Sequence, residues 1–487
     1  MPIGRDPRDI ARIAELEAQN AARDEQIAAL MATVQALTKR VSELEARLNQ
    51  NSSNSSRPPS SDPPGTPRKA SGVTGRKPGG QPGHKHHKRE LIPPEQVSRF
   101  VEVTPDRCRG CQAPLDGTDE NPERHQTVEL PPFKPMVTEY RCHALTCKCG
   151  VTTRAALPEE AAHVFGERLT ATIGLLSGKY RLSKRLVQSA LSDLLGVVLA
   201  LGTVSNRDME VSDSLAAPMQ EAEQAVRETD GAHMDETGWY EGKVAGRAKR
   251  AWLWVVVTAH ITVFQIATSR GSDIAKRMLG NDYTGFLTTD RWGGYNWFDL
   301  GLRQICWSHL TRDWQSFIDR GGESERIGLQ LMADRDRMFR WWRRVRDGTM
   351  EREDFRRRMK RVRRRVGGLV RDAEVCPDAK TAGMAKEILK LEPAMWTFVD
   401  VPELQPTNNI AERTIRHGVM YRKTSFGTQS PEGSRFVERV LTTVATLKQQ
   451  NRNVLEFLTE AVRAHRRGLM SPSLLPSQTR HQLAFAA

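Results

Sequence analysis

The chain has 487 residues, of which 38% are hydrophobic and 27% charged, with 73 Lys and Arg against 59 Asp and Glu for a formal net charge of +14. That length supplies two or three domains and a sizeable core, and the basic surplus points to a polyanionic partner, with nucleic acid ahead of an anionic membrane. The apolar runs "AWLWVVV" and "LLGVVLALG" are too short to span a bilayer, the start "MPIGRDPRDIARIAELEAQ" lacks an apolar signal core, and four of the seven cysteines sit in two close pairs; together these exclude a membrane protein and a disulfide framework and predict a soluble cytoplasmic chain.

Residues 1–50 predict a coiled coil. Ile13, Leu16, Asn20, Arg23, Ile27, Leu30, Val34, Leu37, Val41, Leu44 and Leu48 follow at steps of three and four, and nine of the eleven are aliphatic. Such a stripe on an otherwise polar helix is buried against a partner helix, with Asn20 setting register, so a homo-oligomer is expected. The alternative is an amphipathic helix packed on its own body. Residues 51–95 are rich in Ser, Pro and Gly and carry Arg57, Arg68, Lys69, Arg76, Lys77, Lys85, Lys88 and Arg89. They predict a disordered basic linker able to bind phosphates without sequence preference.

Residues 96–160 hold "CRGC" at 108–111 and "CKCG" at 147–150. Cys108, Cys111, Cys147 and Cys149 suit one structural Zn²⁺ in a small ribbon-like module, with Cys142, His143 and His125 as substitute ligands because the second pair is unusually tight. Buried or incidental thiols are the alternative. Residues 161–228 read as helical. A turn is expected at Gly202 and an N-cap at Thr203, giving a helix-turn-helix-like region with Ser205, Asn206 and Arg207 facing a DNA groove.

From residue 229 the pattern becomes α/β, and one catalytic domain is expected over 229–450. "TDGAHMDETGWYE", "KRAWLWVVVTAHITVFQIATS", "SDIAKRMLG" and "GFLTTD" read as three antiparallel strands, a helix and a fourth strand, the opening of a ribonuclease-H-like sheet. Asp235 on the first strand then lies beside Asp290 at the end of the fourth, and a divalent cation would reconcile the two charges. Gly293 and Gly294 mark a turn just beyond. In "TNNIAERTIRHGVMYRKTSFGT", Thr407 and Asn408 read as N-caps and Glu412 offers a third carboxylate from a helix. Around it lie Arg413, Arg416, Arg422 and Lys423, suited to a DNA backbone; a surface helix with an ion pair such as Glu412–Arg416 is the alternative.

Glu412 follows Asp290 by 122 positions, too many for one helix. A helical insertion over about 320–400 is therefore expected, with Arg356, Arg357, Arg358, Arg363, Arg364 and Arg365 laid on phosphates, or else simply solvated. Residues 451–487 read as a helical tail. No phosphate-binding loop of the G-x-x-x-x-G-K-[ST] type is present.

The blocks "HMDETGWY", "TTDRWGGYN", "RQICWSHLTRD" and "NNIAERTIR…YRKTSFGT" strongly resemble, in order, those of DDE transposases of the insertion-sequence sixty-six family (TnpC type). The N-terminal coil, the linker, the cysteine pairs and "PSLLP" follow the same order, although this family more often has a wider second cysteine pair. The resemblance implies a catalytic triad of Asp235, Asp290 and Glu412 holding two Mg²⁺ (or Mn²⁺) ions, and strand cleavage and transfer by in-line displacement at phosphorus. It places Trp307 and His309 near the site as candidates for orienting substrate. The implied partners are terminal inverted repeats, target DNA and small companion proteins of the same element, in a bacterial, nucleoid-associated setting. A zinc-containing coiled-coil DNA-binding regulator without catalysis, or another ribonuclease-H-like nuclease such as a resolvase, are the competing readings.

Overall fold

Pro7–Leu48 form one unbroken helix, α1, in a computed structural model that describes residues 7–48, 51, 90–244 and 247–476. Along it Leu16, Ile27, Leu30, Val34, Leu37, Val41 and Leu44 are 43–64% exposed, so these seven have little cover among the described residues. Most of the expected basic linker, residues 52–89, lies outside the described residues.

The chain divides into two compact units. Residues 90–141 and Ser189–Val198 belong to the smaller one. It has little regular structure: a short turn at Pro94–Gln96, a bridge between Arg107 and Pro114, and the Gln126 amide, which donates to the Ile92 carbonyl and accepts from its N–H, both at 2.8 Å.

In the larger unit β1 (Ala144–Thr146) and β2 (Thr152–Arg154) form an antiparallel hairpin with every side chain exposed. Four helices follow along the chain: α2 (Glu167–Gly178), α3 (Lys184–Leu195, which from Ser189 onward belongs to the smaller unit), α4 (Leu201–Ser214) and α5 (Ala216–Arg227). Gly202 and Thr203 lie inside α4 and make neither a turn nor a cap. The break falls earlier, at Gly196, whose φ of +65° closes α3 in the left-handed conformation that glycine adopts without strain.

The sheet follows: β3 (Gly231–Val244), β4 (Arg247–Val257), β5 (Thr262–Ala267), then α6 (Ser272–Leu279), β6 (Phe286–Thr289) and β7 (Arg303–Ile305). Its order is β5-β4-β3-β6-β7. β3, β4 and β5 pair antiparallel, while β6 is parallel to β3 and β7 to β6. Three antiparallel strands, a helix and a fourth strand is the expected succession. β4 is an interior strand, paired on both sides by β5 and β3, and Leu253, Trp254, Val255 and Val256 are fully buried, which explains why "AWLWVVV" reads as a continuous apolar run.

Between the sheet and the last helices come α7 (Trp307–Ile318), α8 (Gly322–Arg346), α9 (Arg352–Glu374), α10 (Ala379–Leu389) and α11 (Thr397–Asp400). They surround a second apolar core containing Trp307, Trp314, Phe355, Trp396 and Phe398.

The closing helices are α12 (Asn409–Ser425), α13 (Pro431–Gln449) and α14 (Val454–Arg467). α13 lies along the free edge of β5. The N–H groups of Thr262, Phe264 and Ile266 donate to Thr446 Oγ1 (3.0 Å), Thr442 Oγ1 (2.9 Å) and Glu438 Oε1 (2.6 Å). Strand steps of two meet helix steps of four, and the edge is closed to further strand pairing. α14 is no tail: Phe457, Leu458, Ala461 and Val462 belong to the main core, and the nearly buried Arg466 bonds Glu210, Phe165 and Thr170. Among the described residues no helix is long and apolar enough to cross a membrane.

Candidate active site

Asp235 and Asp290 meet through strand register. β3 and β6 run parallel with His233 opposite Thr288, so two residues further along Asp235 is level with Asp290. Both carboxyl groups are pushed above the ordinary carboxylate range. For Asp235 the causes are burial and then the like charges of Glu236, Asp290 and Glu412. A hydrogen bond from the Glu236 N–H pulls the other way. Asp290 is raised by burial, against the Trp292 N–H and the Arg270, Arg303 and Arg291 guanidinium groups, which pull it down. A half-buried carboxylate that faces two other acids and, among the described residues, forms no ion pair is a donor set fitted to a divalent cation.

The acid next in sequence, Glu236, shows the contrast. It is buried but fully paired, with Arg270 at 2.7 Å and the Tyr295 hydroxyl at 2.5 Å. Alternation along a strand sends neighbouring side chains to opposite faces, so Glu236 anchors the sheet and leaves Asp235 to the site.

Glu412 enters one turn inside α12. Asn408, expected as an N-cap, stands at that position, yet its side chain makes no cap bond. It is fully buried and reaches across to β3: Nδ2 donates to the Met234 carbonyl at 2.6 Å, and Oδ1 lies 3.1 Å from His233 Nδ1. The start of α12 is thereby fixed to the residue before Asp235. Farther along α12, a Cβ on Gly418 would run into the Leu253 side chain, so only glycine lets the helix lie this close to β4.

The Glu412 carboxylate turns toward α7. Its Oε1 is 3.4 Å from His309 Nδ1 and 3.9 Å from Cys306 Sγ. Burial and then the Arg312 guanidinium push His309 down to about 4, so this is a neutral imidazole beside a carboxylate and not an ion pair. His309 is beside Glu412. Trp307 is not: it is fully buried, its Nε1 donates to the Met395 carbonyl at 2.7 Å, and its ring packs on Trp314 and Trp396. It is core and has no access to a substrate.

Sequence reasoning passed over Arg303. Completely buried on β7, it donates to Thr289 Oγ1, the Tyr295 carbonyl and Asn296 Oδ1, each at 3.1 Å, and to the Asp290 carbonyl at 3.0 Å. One planar fork thus holds the whole turn after Asp290. Gly293 and Gly294 keep negative φ; a Cβ on Gly294 would meet the Trp292 indole at 2.6 Å, and close approach explains that glycine.

The expected DNA-facing residues fall into two groups. Arg413, Arg416 and Lys423 are exposed, as are Asn206, Arg358, Arg363 and Arg364, while Ser205 is partly covered. The others are engaged within the protein. Arg422 donates to the Gly238 carbonyl, and Arg207 pairs with Glu210 at 2.6 Å. Arg365 pairs with the buried Asp334 at 2.7 Å, Arg356 with Glu353 and Asp400 at 3.3 Å each, and Arg357 with Asp354.

The two cysteine pairs lie in different units. In the smaller, the N–H groups of Cys111 and Gly110 and the Cys111 thiol lower the Cys108 thiol. In the larger, the N–H and thiol of Cys149 do the same for Cys147, in the turn that joins β1 to β2. Each pair is a tight turn favouring thiolate, the state in which cysteine binds a metal.

The model of a family of unknown function (DUF6444) matches residues 5–90. A protein of Sinorhizobium fredii (strain NBRC 101917 / NGR234), described as "Uncharacterized protein y4qI", is 23% identical over 404 residues, covering 76% of this chain and 72% of that protein. The model described as "Transposase IS66 family" matches residues 163–435, a span that contains the sheet, the three acids and the helices between them. The chain belongs to the IS66 family of transposases, enzymes that cleave and transfer DNA.

Proposed function

We propose that this chain catalyses cleavage and strand transfer at the terminal inverted repeats of an insertion sequence, through a DDE triad of Asp235, Asp290 and Glu412 on a ribonuclease-H-like core. The observation that carries the reading is Asp235, a half-buried carboxylate that faces two further acids and, among the described residues, forms no ion pair. Asp235 and Asp290 would hold one Mg²⁺ or Mn²⁺, and Asp235 with Glu412 a second. When bound, such ions activate the attacking hydroxyl and stabilise the leaving 3′-oxygen at phosphorus. Arg303 and Asn408 keep the three acids on fixed elements, while Arg413 and Arg416 stand exposed on α12 to take the backbone phosphates. The exposed arginines of α9, Arg358, Arg363 and Arg364, would add contacts that carry affinity without sequence preference.

The decisive assay incubates the protein with duplexes ending in the element's own repeats, with Mg²⁺ or with chelator. Mg²⁺-dependent cutting at the repeat ends is expected. Binding without cutting would favour a regulator, and cutting governed by branched structure instead of repeat sequence would favour a resolvase.

The exposed stripe of α1 is read as one strand of a coiled coil, and the Cys108–Cys111 and Cys147–Cys149 turns each as a thiolate pair that would take structural zinc. A hairpin as small and exposed as β1–β2 has no core of its own, which suits metal support. Deleting residues 1–50 should lower the number of subunits seen by light scattering while thermal melting of the remainder is retained. An unchanged subunit number would remove the coil from the account.

A further inference from the structure

The donor atoms of Cys306, His309 and Glu412 all lie within 4.8 Å of one another. Cys306 and His309 form a C-x-x-H pair in which Cys306 caps α7, so residues three apart face the same way. Cys306 is held in place, its N–H donating to the Thr289 carbonyl at 2.8 Å and its Sγ accepting from the Asn408 N–H at 3.1 Å. His309 Nδ1 is buried and, among the described residues, has no hydrogen-bond partner. A buried ring nitrogen left without a partner is a costly arrangement unless something else binds it. A tetrahedral ion with bonds of about 2.3 Å to sulfur and about 2.0–2.1 Å to nitrogen and oxygen spaces its donors roughly 3.3–3.7 Å apart. The observed 3.4 and 3.9 Å are close to that spacing.

We propose that Cys306, His309 and Glu412 form a site for a borderline transition ion such as Zn²⁺, distinct from the hard-ion position of the two aspartates, and that filling it keeps Glu412 away from Asp235 and Asp290. Thiolate and imidazole discriminate against Mg²⁺ and in favour of Zn²⁺ or Co²⁺. The nearby cations leave room for this ion: Arg291 is neutralised by Asp313 at 2.5 Å, and Arg312 is the remaining positive group facing His309. The inhibitory half of the proposal rests on Glu412 serving catalysis; the binding half does not. Zn²⁺ would then act as a brake on the enzyme.

Co²⁺ is the probe for binding, since its thiolate charge-transfer and ligand-field bands report the ligands directly. The full chain, Cys306→Ser and His309→Ala are each titrated with Co²⁺; the N-terminal cysteines contribute equally to all three. Each variant should lose the bands of about one equivalent, and Asp290→Asn should lose none. Identical bands in the full chain and both variants would overturn the site. Should Cys306→Ser fail to match wild-type melting, His309→Ala and Glu412→Gln carry the test. For inhibition, Zn²⁺ is titrated into the Mg²⁺-dependent cleavage reaction. Cys306→Ser should need at least about tenfold more Zn²⁺ for half-inhibition; equal sensitivity would refute the brake even where Co²⁺ binds. If the wild type does not cleave at all, the proposed function fails, while the Co²⁺ result still decides the site.

Discussion

Asp290→Asn should lower Mg²⁺-dependent cleavage by about a thousand-fold or more and leave the fold intact. The amide has nearly the shape of the carboxylate, and its oxygen can still accept the 2.8 Å bond from the Trp292 N–H. What it loses is the charge that holds a divalent ion. Removing several kcal/mol of charge stabilisation corresponds to about three powers of ten in rate. The neighbouring arginines are not stranded, because Arg270 keeps Glu236, Arg291 keeps Asp313, and Arg303 keeps its oxygens. Asp235 meanwhile loses one of the charges that push it up. Without metal the variant should therefore melt no lower than the wild type. Cleavage within tenfold of wild type would exclude Asp290 from the chemistry, and collapse of the fold would assign it a structural role.

Arg303→Met should destabilise the protein by about 3 kcal/mol or more, read by denaturant titration. Burial lowers this guanidinium, but only to about 10, so it stays charged at neutral pH. Methionine fills comparable volume but donates nothing, and four oxygens that now receive Arg303 lose that donor. A buried oxygen left without a partner costs about 1–3 kcal/mol, partly offset because a buried charge disappears. Arg303→Lys should fall between, since a single ammonium cannot reproduce the fork. A Met variant as stable as wild type would mean that the turn after Asp290 is held by other contacts.

Much of this site is legible from the sequence because its signals are short and local. A carboxylate closing an apolar strand ("FLTTD") and one inside a strand with buried alternate positions ("HMDE") each carry their own periodicity. The succession of strands follows from the same patterns, and register then brings Asp235 level with Asp290. What is not legible depends on partners far along the chain. Asn408 has the composition of a cap, but burial against Met234 gives it a different bond. Arg303 looks like any other of many arginines until the turn folds over it. Trp307 lies two residues from His309, yet its ring faces a core assembled from residues near 314 and 396. The turn in the helical region is not legible because two glycines, Gly196 and Gly202, stand close together and only backbone conformation distinguishes them. Arg207 and Arg365 read as free charges because Glu210 and Asp334 reach them only in three dimensions.

The central claim is that Asp235, Asp290 and Glu412 jointly hold divalent ions, and mapping those ions on the protein tests it most directly. Fe²⁺ substituted for Mg²⁺ generates hydroxyl radicals with ascorbate and peroxide, which cut the backbone close to wherever the ion sits. The account predicts cuts on three separate elements, near residues 235, 290 and 412. Excess Mg²⁺ should suppress them, and Asp290→Asn should abolish them. Cuts that Mg²⁺ does not suppress, or that appear unchanged in Asp290→Asn, would contradict it.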